Sequence, residues 1–135
     1  MNKVSNTLEF GAKMLLRLCK EKGLASCAVA TSMKSSEKVY SFCEALRDEM
    51  QKSGKRVLVA KAGQTEGEKQ QSGDLLLVFA PQPELQMDSF RACSDCDATL
   101  LVEEYGVTSH RALDDLTEFL RNLNIDILGV IALKK

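Results

Sequence analysis

The chain has 135 residues, 44% of them hydrophobic and 27% charged, a composition that fits one folded domain and argues against a disordered chain. A formal charge of −1, 5% aromatic residues and no tryptophan give neither the electrostatic field nor the stacking platforms that nucleic-acid binding needs. No stretch approaches the roughly 18 apolar residues of a membrane span, so no direct membrane insertion is expected. Met1 to Asn6 lacks a basic region followed by an apolar core. A cytoplasmic location with five reduced thiols follows as the expectation, and the odd cysteine count argues against a complete disulfide framework.

Residues 6–22 carry Leu8, Ala12, Leu15, Leu16 and Cys19 at helical spacing, with Asn6 or Thr7 as the N-cap and Gly23 as the left-handed stop. Ala25 to Thr31 is a short run of small apolar residues, expected to be a buried first strand. A polar loop, Ser32-Met33-Lys34-Ser35-Ser36, precedes a second helix over 37–53 with Val39, Phe42, Cys43, Leu46 and Met50 on one face. Ser53-Gly54 ends it. Arg56 to Ala60 shows no polar alternation, the pattern of a parallel strand buried on both sides.

Residues 61–73, with Gly63, Gly67 and Gly73, form a loop. Asp74 to Ala80 is the clearest interior strand, ended by Pro81 and Pro83. Residues 84–95 are a short helix or irregular. Ala98 to Glu103 is a fourth strand. Thr108 or Ser109 caps a helix to about 123 that turns Leu113, Leu116, Phe119, Leu120 and Leu123 inward, and Ile125 to Leu133 holds the last strand. Strands alternating with helices imply an α/β fold: a mostly parallel five-stranded sheet with helices on both faces. Ligands in such sheets bind beyond the carboxyl ends of the strands, here the loops at 31–38, 60–73 and 80–88.

The order of these pieces carries a resemblance. Gly-Lys-Arg-Val-Leu-Val (54–59), Asp-Leu-Leu-Leu-Val-Phe-Ala-Pro (74–81), Asp-Ala-Thr-Leu-Leu-Val (97–102), Gly-Val-Thr-Ser-His-Arg-Ala-Leu (106–113) and Leu-Gly-Val-Ile (128–131) follow an N-terminal helix and a Thr-Ser-rich loop. Over nearly its whole length the chain resembles the bacterial tyrosine autokinases of capsule and exopolysaccharide synthesis, and the wider MinD/ParA-like P-loop ATPases. The resemblance implies a P-loop-type, Rossmann-like three-layer domain.

The catalytic pieces depart from that pattern. A phosphate loop needs glycine so that backbone N–H groups can wrap the phosphates, lysine on the β- and γ-phosphates, and a hydroxyl on Mg²⁺. With Lys38 aligned on the family's lysine, the preceding glycine is Glu37 and the hydroxyl residue is Val39. The aspartates that follow the family's second strand are Lys61-Ala62-Gly63 here, and the aspartate ending its next strand is Phe79, before Ala80-Pro81. After Glu9, the arginines of the family's ring-assembly pattern are Ala12 and Leu15, and Ala132-Leu133-Lys134-Lys135 stands where the kinases have a tyrosine cluster. The segment between the second and third strands is much shorter than in the kinases. Phosphoryl transfer depends on positioned charge and metal. The expectation is a non-catalytic module with no metal and no cofactor, whose residual nucleotide contacts are Ser32, Lys34, Ser35, Ser36 and Lys38.

The resemblance further implies a protein partner, either a membrane polysaccharide-synthesis component that recruits the chain or a homologous ATPase. A homodimer across the nucleotide face is the other arrangement it implies, with Met33, Phe79 and Met87 as a dry contact. Two rivals stand beside this reading. One is a nucleotide-binding switch that uses Lys34 or Lys38 and the serines. The other is a thiol redox module or half zinc site on Cys93 and Cys96. A lone CxxC without a second pair favours plain packing of the two thiols. His110, Asp114-Asp115 and Glu103-Glu104 read as solvated helix-start and strand-end groups.

Overall fold

The computed structural model describes residues 3–64, 70–107 and 109–133. Helices and strands alternate in the order α1 (Lys3–Lys22), β1 (Ser26–Thr31), α2 (Glu37–Gln51), β2 (Val57–Lys61), β3 (Leu75–Pro81), α3 (Met87–Asp95), β4 (Ala98–Glu104), α4 (His110–Asn122) and β5 (Ile127–Leu133). All strand pairs are parallel and the sheet runs β2-β3-β1-β4-β5. The expected α/β architecture is therefore present, with helices on both faces.

Strand alternation sorts the core into two layers. Cys27 and Val29 of β1 join Leu77 and Phe79 of β3 and Leu100 and Val102 of β4 under α1 and α2, where Leu15, Leu46 and Met50 are fully buried. On the opposite face Ala28, Ala30, Ala80 and Leu101 meet Cys93 of α3 and Leu116 and Leu120 of α4. The small residues there let α3 lie close against β3 and β1 in the middle of the sheet.

Several boundaries differ from expectation. α1 begins at Lys3, so Asn6 and Thr7 lie inside the helix and do not cap it. Its end is as expected: Gly23 has φ +67° and its N–H donates to the Cys19 carbonyl. α2 stops at Gln51, short of 53, and residues 84–95 resolve into the helix α3. β2 is an edge strand with only Val57 fully buried, because β3 covers one side of it alone; its apolar run does not mark double burial. Ser109 caps α4 by accepting from the Ala112 N–H at 3.1 Å, while Thr108 lies outside the described residues. Leu123 sits just past the helix and is exposed, not turned inward.

Candidate functional site

In this topology the carboxyl ends of β3, β1 and β4 lie side by side, with Thr31 opposite Pro81 and β4 running on to Glu104. The loop that would cradle a phosphate, 31–36, leaves from the middle of that row. Its polar groups are already engaged within the chain. The Thr31 hydroxyl donates to Glu103 Oε1 at 2.5 Å, and the Ser32 N–H donates to both carboxylate oxygens of Glu103 at 3.0 Å. The Met33 N–H turns back to Thr31 Oγ1 at 3.4 Å. Glu103 is 3% exposed, so the reading of Glu103-Glu104 as solvated charges does not hold for it. β4 delivers its carboxylate beneath the loop, where the loop's donors engage it.

The neighbouring contacts fix the rest of the loop. Ser36 is the N-cap of α2: its Oγ accepts from the Val39 N–H at 3.2 Å and its hydroxyl donates to Glu104 Oε2 at 2.9 Å. Gln82, at φ +42°, donates its N–H to the Thr31 carbonyl at 2.8 Å, and Gln86 Nε2 donates to the Lys34 carbonyl at 3.1 Å. The loop is thus clamped from β4 on one side and from the β3–α3 connection on the other.

Beside the clamp lies a cleft of about 350 Å³, lined by Ser35, Ser36, Glu37, Tyr40, Ser41, Lys61 and Phe79. Lys61 Nζ stands 4.8 Å from the Tyr40 ring centroid, and Tyr40 meets Phe79 edge-on at 5.7 Å. Of the five residual nucleotide candidates, Ser35 and Ser36 reach this cleft, while Ser32, Lys34 and Lys38 are not among its lining residues. Lys34 is exposed and Lys38 half-buried. Phe79 is buried against Tyr40, Met33 is half-buried, and Met87 is exposed. The sequence reading missed Glu103, Tyr40 and Lys61 as parts of one site. The available signal was the strand-end glutamate pair, provided that β4 is known to lie next to β1.

One carboxyl at this end of the sheet is strained electrostatically. Oε2 of Glu84 is buried with no hydrogen-bond partner among the described residues. Burial pushes the Glu84 carboxyl above the usual range, and the charges of Glu103 and Asp115 push it the same way, against a hydrogen bond within its own residue. His110, Asp114 and Asp115 are exposed.

The CxxC lies elsewhere, at the end of α3. Cys93 is buried in the core under α3 and α4, and Cys96 is half-buried. Burial pushes the Cys93 thiol up to about 12 and the Cys96 thiol up to about 11. Such thiols carry almost no thiolate at neutral pH, the opposite of a redox pair or metal ligand. Among the described residues no group of three His, Cys, Asp or Glu is arranged to hold a metal ion, and no helix is long and apolar enough to cross a membrane.

No protein-family model matches the chain, and no curated protein matches it. Among solved structures it is similar to the BceF tyrosine kinase domain, with a TM-score of 0.73 and 14% identity over 94% of this chain and 76% of that one. The likeness is one of fold: the parallel sheet and flanking helices of this chain follow those of a kinase domain.

Two outcomes follow. The folded state favours the neutral Glu84 carboxyl, so the stability that this group contributes is complete below the ordinary glutamate range and is lost as pH rises through its raised folded value. Glu84→Gln therefore raises the thermal midpoint at neutral pH, and the gain disappears on acidification; thermal melts of both proteins across pH check this. Titration of the native chain with a thiol reagent leaves Cys93 unmodified at neutral pH until the protein is unfolded, as peptide mass mapping will show.

Proposed function

We propose that this chain is a non-catalytic, pseudokinase-like relative of the tyrosine autokinases and MinD/ParA-like ATPases, and that it works through protein–protein contact. The observation that carries the reading is Glu103. A phosphate-binding loop spends its N–H groups on the ligand's phosphates; here the Ser32 N–H and the Thr31 hydroxyl are spent on an internal carboxylate. A phosphate placed there would have to displace Glu103 and then lie against Glu103, Glu104 and Glu37, losing by repulsion what the start of α2 offers an anion.

The motif positions agree. Glu37 and Val39 stand at the glycine and magnesium-hydroxyl positions, Lys61 at an aspartate position, and Phe79 at the third-motif aspartate. Lys61 is engaged over Tyr40, and Phe79 is packed into the core, so neither retains the metal-binding or water-activating chemistry of an aspartate.

For the contact itself, the same end of the sheet is apolar and open. Leu85 and Met87 beyond β3, and Tyr105 and Val107 beyond β4, are all more than half exposed, flanking the clamped loop. A partner that reads this rim would meet a surface held in one shape by the clamp, with no nucleotide required to order it. By resemblance, the partner is a polysaccharide-synthesis component at the inner face of a bacterial membrane, or a homologous ATPase, and the chain itself stays cytoplasmic.

The rival is a nucleotide-binding switch that uses Lys34 or Lys38 with the serines of the loop, of which Ser35 and Ser36 line the 350 Å³ cleft. Calorimetric titration with ATP and with ADP, each with and without Mg²⁺, separates the two. The proposal expects no heat and no rise in thermal midpoint at millimolar nucleotide. A ligand at a hundredfold excess over its Kd would add about 2.7 kcal/mol of stability, which a melt detects easily. Micromolar, Mg²⁺-dependent binding that is lost in Lys38→Ala would replace the proposal with the switch.

A further inference from the structure

The turn after β3 is strained. Two non-glycine residues among the described ones have positive φ, Asn124 at +58° and Gln82 at +42°. Asparagine enters the left-handed region readily, whereas a side chain such as that of glutamine crowds the backbone there. Gln82 also precedes Pro83, and a following proline pushes a residue toward extended backbone at negative φ. Two residues on, Oε2 of Glu84 is buried with no hydrogen-bond partner among the described residues. Unfavourable features from two sources thus fall within one short turn, and such strain persists only where the surroundings impose it.

The loop after β1 imposes it. Pro81 and Pro83 carry no backbone N–H, so Gln82 supplies the one amide donor of the three residues. That donor goes to the Thr31 carbonyl at 2.8 Å, and Thr31 stands opposite Pro81 in the β1–β3 register. The Gln82 carbonyl in turn accepts from the Leu85 and Gln86 N–H groups, each at 2.9 Å, which closes the turn. Gln86 Nε2 ties its far end to the Lys34 carbonyl. Leu85 and Met87, which the turn displays, are 73% and 62% exposed. Thr31 is therefore shared between two structures: its hydroxyl donates to Glu103 and its carbonyl holds Gln82.

We propose that Thr31 couples the two loops: the Glu103 clamp holds the Gln82 turn in its strained form, and release of the clamp lets the turn relax and changes the display of Leu85 and Met87. The turn then has two arrangements. With Thr31 fixed, Gln82 keeps its positive φ and the apolar pair is held in solvent. With Thr31 free to shift, Gln82 moves to the extended backbone that a residue before proline favours, and the bonds from Leu85 and Gln86 to its carbonyl are given up. Whatever acts on one loop acts on the other, because both bias the same two-state element. The inference rests on the pseudokinase reading only in treating Leu85 and Met87 as a contact surface; the coupling itself involves no nucleotide.

Site-resolved hydrogen exchange and thermal melts of the full chain test it. Thr31→Val removes the hydroxyl that reaches Glu103 and accepts the Met33 N–H, and it keeps the backbone carbonyl. The expected result is exchange about tenfold faster or more at the Gln82, Leu85 and Gln86 amides, none of which bonds to that hydroxyl, while the Val29 and Ala30 amides of β1 stay slow. Gln82→Gly in the otherwise unaltered chain tests the strain without disturbing the clamp. Glycine accepts positive φ without strain but enlarges the freedom of the unfolded chain, so a strained turn gains thermal midpoint on this change and an unstrained one loses it. A lowered midpoint in Gln82→Gly would overturn the proposal. So would faster exchange in Thr31→Val that is confined to Ser32 and Met33, or that rises equally at Val29 and Ala30. Neither readout involves nucleotide, so calorimetric binding of ATP would remove the pseudokinase reading and leave the coupling standing.

Discussion

A buried carboxylate has to find its hydrogen bonds where it lies, and at the carboxyl end of this sheet the loop after β1 brings donors to it. Glu103 takes the Thr31 hydroxyl and the Ser32 N–H, and in doing so gives the loop its shape. Bonds to a charged acceptor contribute about 1.5–3 kcal/mol each, and a buried donor left without a partner costs about 1–3 kcal/mol. The pair therefore holds from both sides: removing the carboxylate strands the donors, and moving the loop strands the carboxylate. Ser36 with Glu104 and Gln82 with the Thr31 carbonyl extend the clamp to α2 and β3.

That constraint shapes what the site can do. In a phosphate-binding fold the negative charge at this place arrives with the ligand and leaves with it. Here it is part of the chain, together with Glu104, Glu37 and the half-buried Glu84. The repulsion shows in Glu84, whose carboxyl is pushed toward its neutral form by burial and by its acidic neighbours. In the proposed reading a surface already holding its own anion would serve as a platform for contact; Leu85, Met87, Tyr105 and Val107 at this end of the sheet are exposed. The likeness to a kinase domain lies in the scaffold, and the chemistry of this chain has to be argued from its own side chains.

Periodicity made most of the scaffold legible. The apolar stripes of α2 and α4, the Gly23 stop, the Ser109 cap and the parallel strands all appear in the residue pattern, because each is a local consequence of side-chain type. Relations between distant segments left no such trace. Val57 to Ala60 is as apolar as an interior strand, yet β2 is at the edge, since strand order is set by crossovers and not by the strand's own residues. Glu103 reads as a strand-end charge until β4 is placed beside β1, 71 residues away from Ser32 in sequence. Phe79 reads as a surface contact until Tyr40 is seen edge-on against it. The candidate loop was found from the order of motifs, but only Ser35 and Ser36 of its five named residues line the cleft, because the backbone turns Ser32 toward Glu103 and leaves Lys34 in solvent.

The central claim is that Glu103, and no outside anion, holds the loop. Site-resolved hydrogen exchange at the Ser32 amide reports on that bond directly. The account predicts slow exchange of this amide in the unliganded chain, unchanged by added phosphate, and fast exchange in Glu103→Ala under conditions where the amides of β1 stay protected. A Ser32 amide that exchanges freely in the unaltered chain, or becomes protected only when phosphate is added, would show an open anion site and contradict it.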